Sequence, residues 1–171
     1  MDGDNKIINE VASDTYDAFD KPFDFIEEGM NTALICEPDA AMQSRISEML
    51  TQEGYHITKP DSARDALSKM RFHVYQLVVV NEKFDTDNPD SNSVLNYLKG
   101  LSMSIRRNIF VILVSDRFRT MDNMTAFVKS VNLIVNPSNM DDFGAIVKRG
   151  IADNEAFYHV YKESLKKIGY I

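Results

Sequence analysis

A chain of 171 residues, 44% hydrophobic and 26% charged, has the composition of one globular domain with short additions. No apolar run approaches the roughly 20 residues of a membrane-spanning helix, and the acidic N-terminus is unlike a secretory leader, which argues against both. The formal charge of −7 belongs to residues 1–30, where nine acids face Lys6 and Lys21, whereas residues 31–171 hold 17 residues of each sign, so no basic face for nucleic acid is expected.

Residues 1–30 place Tyr16, Phe19, Phe23, Phe25 and Ile26 among aspartates. Composition favours a flexible acidic tail, and an acidic-aromatic arm that docks on a partner or on the body is the alternative. Organised structure is expected from residue 31. Ala33–Cys36 reads as a buried strand ending in Glu37-Pro38-Asp39, with Asp39 placed to cap the next helix. Its cysteine is the only one in the chain, which excludes an internal disulfide and suggests a reducing, cytoplasmic setting. Met42, Ile46, Met49 and Leu50 share one helical face, and Gly54 closes that helix. Tyr55–Thr58 is a second strand, and Ser62 can cap a helix with Ala66, Leu67 and Met70 inward.

Leu77-Val78-Val79-Val80 is an unbroken apolar run that stops at Asn81, as expected of a strand covered on both faces of a parallel sheet. A polar loop, a helix with Val94, Leu95 and Leu98, and a strand over 109–114 ending at Ser115 follow. Met124, Phe127, Val128 and Val131 then mark a fourth helix. Leu133–Val135 is a fifth strand ending in Asn136-Pro137, and Phe143, Ile146 and Val147 predict a fifth helix. The alternation is that of a doubly wound (βα)5 sheet, whose ligand sites lie at the carboxyl ends of the central strands.

The strand ends Glu37-Pro38-Asp39, Asn81, Ser115 and Asn136-Pro137, with their spacing over residues 31 to about 152, resemble the response-regulator receiver domain of bacterial two-component signalling. The resemblance implies a flavodoxin-like fold with strand order 2-1-3-4-5, a Mg²⁺ ion and a phosphorylated aspartate. By the same resemblance, Glu37 and Pro38 match the two metal-binding acids, and Asn81 matches the phosphoacceptor aspartate. Ser115 matches the hydroxyl residue that contacts the phosphoryl group, Asn136 the lysine before proline, and Leu133 the switch aromatic.

Four of these positions have lost the matching chemistry. An asparagine amide is not a usable nucleophile toward a phosphoryl donor. Glu37 beside a proline and an amide makes a poor Mg²⁺ site. Without ion or lysine nothing offsets the charge that develops in phosphoryl transfer. A pseudo-receiver is therefore expected, with Glu37, Pro38, Asn81, Ser115 and Asn136 lining a degenerate pocket and no metal or cofactor.

Asp85, Asp87 and Asp90 lack the glycine and the final glutamate of a calcium loop and read as a solvated loop. His56, His73 and His159 share no metal-ligand spacing, and no glycine-rich loop follows the first strand. Residues 154–171 form an extension beyond the receiver-like 31–153, with Phe157, Tyr161 and Leu165 on one helical stripe that covers its own domain or meets another chain. The expected function is a non-enzymatic protein-interaction module of bacterial signalling, with signalling proteins as partners and self-association as a further expectation. The alternatives are phosphorylation at Asp85 or Asp87, or a small-molecule sensor using the vacated pocket near Asn81.

Overall fold

Residues 7–9 and 29–170 are described by the computed structural model. Five parallel strands form one sheet in the order β2-β1-β3-β4-β5. They are β1 (Asn31–Cys36), β2 (Tyr55–Thr58), β3 (Leu77–Asn81), β4 (Phe110–Val114) and β5 (Leu133–Val135). The main helices are α1 (Ala40–Gln52), α2 (Ala63–Phe72), α3 (Ser93–Gly100), α4 (Asn123–Lys129) and α5 (Phe143–Lys167), and a single helical turn over Met103–Arg106 precedes β4. Apart from Ile7, Ile8, Asn9, Gly29 and Met30, the expected tail over 1–30 lies outside the described residues.

β3 sits at the centre because its apolar run is buried on both faces. It pairs Leu77 with Ala33 of β1 on one side and with Phe110 of β4 on the other. Alternate strand residues feed two cores. Ala33, Ile35, Leu77, Val79, Ile112 and Val135 meet Ile46 and Leu50 of α1 and Phe143 and Val147 of α5. Leu34, Val78, Val80, Val111, Leu113 and Ile134 meet Leu67 and Met70 of α2, Leu98 of α3 and Ala126 of α4.

Local chemistry sets the helix starts. Asp39 accepts from the Met42 amide at 2.7 Å, Ser62 from Asp65 at 3.1 Å and Asp122 from Thr125 at 3.0 Å. Asn92 caps α3 by accepting from Leu95 at 3.0 Å, and its buried amide donates to the Glu82 carbonyl at 3.2 Å, tying the loop after β3 to the helix that follows. Gly54, at φ +86°, makes the left-handed turn between α1 and β2.

The apolar spacing that marks α4 does not show its inward face. Met124, Phe127 and Val128 do share a face of α4, but it is the outer one, with exposures of 74%, 81% and 70%. Ala126, on the opposite side, is the residue of α4 that enters the core, and Val131 is buried just beyond the helix. Apolar spacing shows that a helix has two faces without saying which is inward. Here Lys129 bonds to Asp90 of the β3–α3 loop at 3.0 Å and the small Ala126 seats against the sheet, and together they set the rotation.

The expected C-terminal extension is the distal part of α5, which runs unbroken for 25 residues after a 3₁₀ segment over Pro137–Asp142.

Candidate functional site at the carboxyl edge of the sheet

Parallel strands leave their last residues side by side, so Cys36, Asn81, Val114 and Val135 bring Glu37, Glu82, Ser115 and Asn136 to one edge. Glu37 is 3% exposed. A carboxylate taken that far from water needs donors. The Asn81 side-chain amide supplies them, with Nδ2 lying 2.9 Å from one carboxylate oxygen and 3.1 Å from the other. The Asp39 backbone amide adds a third contact at 3.1 Å. Desolvation pushes the Glu37 carboxyl above its ordinary range, and the Asn81 and Asp39 hydrogen bonds partly offset that. Asn81 is held from its other end as well, since its Oδ1 accepts from the Lys83 amide at 2.9 Å.

This donor set does not fit a magnesium ion. Both Glu37 oxygens already accept from an amide, Asn81 turns its nitrogen rather than its oxygen toward them, and Pro38 faces solvent without a ligand atom. The amide hydrogens fill the electrostatic role a cation would have, without its charge. Among the described residues, no group of three or more His, Cys, Asp or Glu side chains is arranged to hold a metal ion.

Ser115 points to a second buried acid. Glu82 is 2% exposed, and its carboxylate accepts from Ser115 Oγ at 2.8 Å and from Arg117 Nη2 at 2.8 Å and Nε at 3.0 Å. Both of these guanidinium bonds end on Oε2, and Nε also reaches Oε1 at 3.1 Å, so Arg117 touches both oxygens of the buried carboxylate. Arg117 also reaches Asp90 at 3.1 Å, Lys129 reaches the same Asp90 oxygen, and both cations lie over the Phe118 ring. Arg117 and Lys129 hold the Asp90 carboxyl below its usual range. Loop β3–α3, loop β4–α4 and helix α4 are fastened together by this cluster.

Asn136 stitches the same edge from the β5 side. Its Nδ2 donates to the Phe118 carbonyl at 2.8 Å, and its Oδ1 accepts from the Ser138 amide at 3.0 Å. At the rim, Lys83 and Asp116 pair at 2.6 Å. Asp85, exposed and at φ +52°, accepts from the Ala63 amide at 2.8 Å and so belongs to the start of α2.

Of the residues singled out in the sequence, Glu37 and Asn81 meet directly, Ser115 and Asn136 lie on the same edge with other partners, and Pro38 stands outside. Leu133 is buried inside the sheet layer, against α5. Phe157, Tyr161 and Leu165 lie on the distal half of α5, remote in sequence from this edge. Sequence reasoning missed Glu82 and Arg117, and it read Asp90 only as part of a solvated loop. The available signal was an acid directly after a fully buried strand, which demands a cation, and Arg117 stands three residues beyond the neighbouring strand end at Val114. A cavity of about 230 Å³ lies elsewhere, at the amino ends of β1 and β2, where Asn31 and Tyr55 meet Met49, Val147 and Ile151.

No protein-family model matches the chain, and no curated protein sequence does. Solved structures do. A CheY-like response regulator receiver domain protein from Methanospirillum hungatei JF-1 superposes with TM-score 0.56 at 19% identity over 74% of this chain and 98% of its own. The receiver domain of a signal transduction histidine kinase from Syntrophus aciditrophicus gives 0.56 at 18% identity, over 72% and 91%. That of the TMAO respiratory system response regulator TorR gives 0.55 at 19%, over 72% and 98%. Together with the observed strand order, these matches establish that the chain has the flavodoxin-like fold of the response-regulator receiver domains.

Proposed function

We propose that this chain is a pseudo-receiver, a non-catalytic interaction module of two-component signalling whose output does not depend on phosphorylation. The observation that carries the reading is the Asn81 amide donating to both oxygens of Glu37. The position matching the phosphoacceptor holds a group that cannot attack phosphorus, and the acid matching a metal ligand is already satisfied by it. Ser115, which matches the phosphoryl-contacting hydroxyl, is spent on Glu82. What remains of a receiver is its surface, with signalling proteins in the cytoplasm as partners. In receivers that surface is made by the fourth helix, fifth strand and fifth helix, and here α4 presents Met124, Phe127 and Val128 to solvent. Phe157, Tyr161 and Leu165 extend the candidate interface along α5. Among the described residues no helix is long and apolar enough to cross a membrane.

The test is intact-mass spectrometry after incubation with acetyl phosphate and Mg²⁺. The expected result is an unchanged mass and an unchanged melting temperature. An added phosphoryl group overturns the reading, and peptide mapping then shows whether Asp85 or Asp87 takes the acceptor's place.

A further inference from the structure

Two glycines of helix α5 sit in opposite surroundings. At Gly150 an added Cβ would stand 3.1 Å from the Phe110 ring and 3.2 Å from Leu133, so the helix is pressed tight against the sheet. At Gly144, near the helix start, an added Cβ would meet nothing within 4 Å. Gly144 lines the cavity of about 230 Å³ that opens between α1 and α5 at the amino ends of β1 and β2. Ala152 lines it too, so α5 brings little bulk where larger side chains would close the space. The floor is apolar, because Leu50 and Val147 are buried core residues and Met49 and Ile151 pack on the same core. A cavity of about 150 Å³ holds benzene, so this one has room for a ligand of about nine non-hydrogen atoms.

The polar groups of the cavity select the ligand's charge. Lys148 is already paired with Glu53 at 2.9 Å, which ties α5 to α1 across the rim. Asn31, Tyr55 and Glu155 also line the cavity, and none of their side chains makes a hydrogen bond among the described residues. Burial pushes the Tyr55 phenol up, and the Glu155 and Glu53 carboxylates push it further, so the field there is negative. The Asn31 carbonyl, the Tyr55 hydroxyl and the Glu155 carboxylate are three acceptors with nothing donating to them. An ammonium group has three donors and no acceptor, which is their complement. An anion meets Glu155 as a like charge while the nearby cation, Lys148, is engaged. We infer that this cavity binds a small amphipathic amine, its ammonium held by Asn31, Tyr55 and Glu155 and its apolar body lying over Met49, Val147 and Ile151. With one exposed ion pair and a half-open apolar floor, a dissociation constant of about 1 mM is expected. The site lies at the opposite end of the strands from Glu37 and Asn81, so it gives the domain an input that needs no phosphoryl group. It stands or falls independently of the phosphodonor test.

Titration of the isotope-labelled full chain with phenethylamine, followed by amide NMR at fixed pH and ionic strength, tests it. Phenethyl alcohol is the neutral probe of the same shape, and hydrocinnamate is the anionic one. Saturable shifts centred on Tyr55, Val147 and Ile151 are expected with the amine. The alcohol should bind a few-fold more weakly, and the anion should not bind up to about 20 mM. Glu155→Gln should weaken the amine a few-fold and leave the alcohol unchanged, because it removes a charge and keeps the shape. Gly144→Leu should abolish binding of both by filling the cavity, and leucine is the better helix former, so the chain stays folded. Ala152→Leu, at an exposed position of the wall, repeats the filling from another site. An amine that gives no saturable shifts by about 20 mM overturns the inference, as do shifts centred away from the cavity. Equal binding of amine, alcohol and anion overturns the ligand class. Folded Gly144→Leu and Ala152→Leu chains that both bind the amine as wild type does overturn the site.

Discussion

The carboxyl edge of the sheet and the outer face of α4 have opposite characters. At the edge, Glu37, Asn81, Glu82, Ser115 and Arg117 turn toward one another, and each polar group is bonded to a neighbour. On α4, Met124, Phe127 and Val128 turn away from the domain and are bonded to nothing within it. The first region spends its polar groups on internal cohesion, whereas the second keeps apolar surface where the domain itself has no use for it. Chemistry and surface are thus separable on this fold.

The comparison breaks first at Glu82. Truncation by Glu82→Ala leaves Arg117 and the Ser115 hydroxyl without their buried acceptor and should cost about 2–3 kcal/mol, moderated because Arg117 keeps access to water. Urea denaturation at neutral pH measures it, and a loss below about 0.5 kcal/mol shows that the cluster does not fasten the edge.

Asn81→Asp comes next. It replaces a donor to Glu37 with a second carboxylate, and about 1–2 kcal/mol of stability should be lost near pH 7 through like-charge repulsion. The loss should shrink on acidification as the pair takes up a proton, and acetyl phosphate should still add no mass because Pro38 and Asn136 supply neither ligand nor lysine. Phosphorylation of this single variant at ordinary receiver rates contradicts the account of the edge.

Glu37 also has its own pH signature. Its carboxyl is raised in the folded state, so the native protein binds a proton the unfolded chain has already released. Its contribution therefore opposes folding above the raised value and fades as the pH falls toward the ordinary carboxylate range. Glu37→Gln should gain relative to wild type, by about 1 kcal/mol or less, above that window and converge with it below. Paired thermal melts from about pH 3 to about pH 8, a span that begins about one unit below the ordinary carboxylate value, check the sign.

The smallest effect belongs to α4. Replacing Met124, Phe127 and Val128 together by serine should move stability by no more than about 0.5 kcal/mol per site, because nothing of the core is removed. The same variant should lose capture of a signalling partner. A large loss of stability would mean that the face is covered by the domain after all.

The sheet was legible in the sequence because burial on both faces leaves a continuous apolar run, as in Leu77–Val80, and because caps such as Asp39 and Ser62 announce the helices locally. The contact between Glu37 and Asn81 was legible only through the resemblance, which places two strand ends side by side. Glu82 and Arg117 were not, since they are 35 residues apart and nothing local in either marks it as the other's partner. The orientation of α4 was not legible because apolar period alone does not say which face is inward, and a distant carboxylate, Asp90, bonds Lys129 across the loop. The stripe of α5 was visible as spacing, but the Asn132 amide on Asn154 and the Arg107 guanidinium over Tyr161 were not.

Gly150 has a mechanical consequence. It is the place where α5 presses hardest on the sheet, against the side chains of Phe110 and Leu133. Between Gly150 and Ile168 the helix is a rod of about 27 Å. A tilt of ten degrees about that fulcrum would sweep the tip by about 5 Å by the same helix geometry. Leu133 lies directly beneath that fulcrum, so a repacking of that one leucine, too slight to notice at the sheet, would arrive at the far end of the rod magnified into a displacement the size of a helical turn.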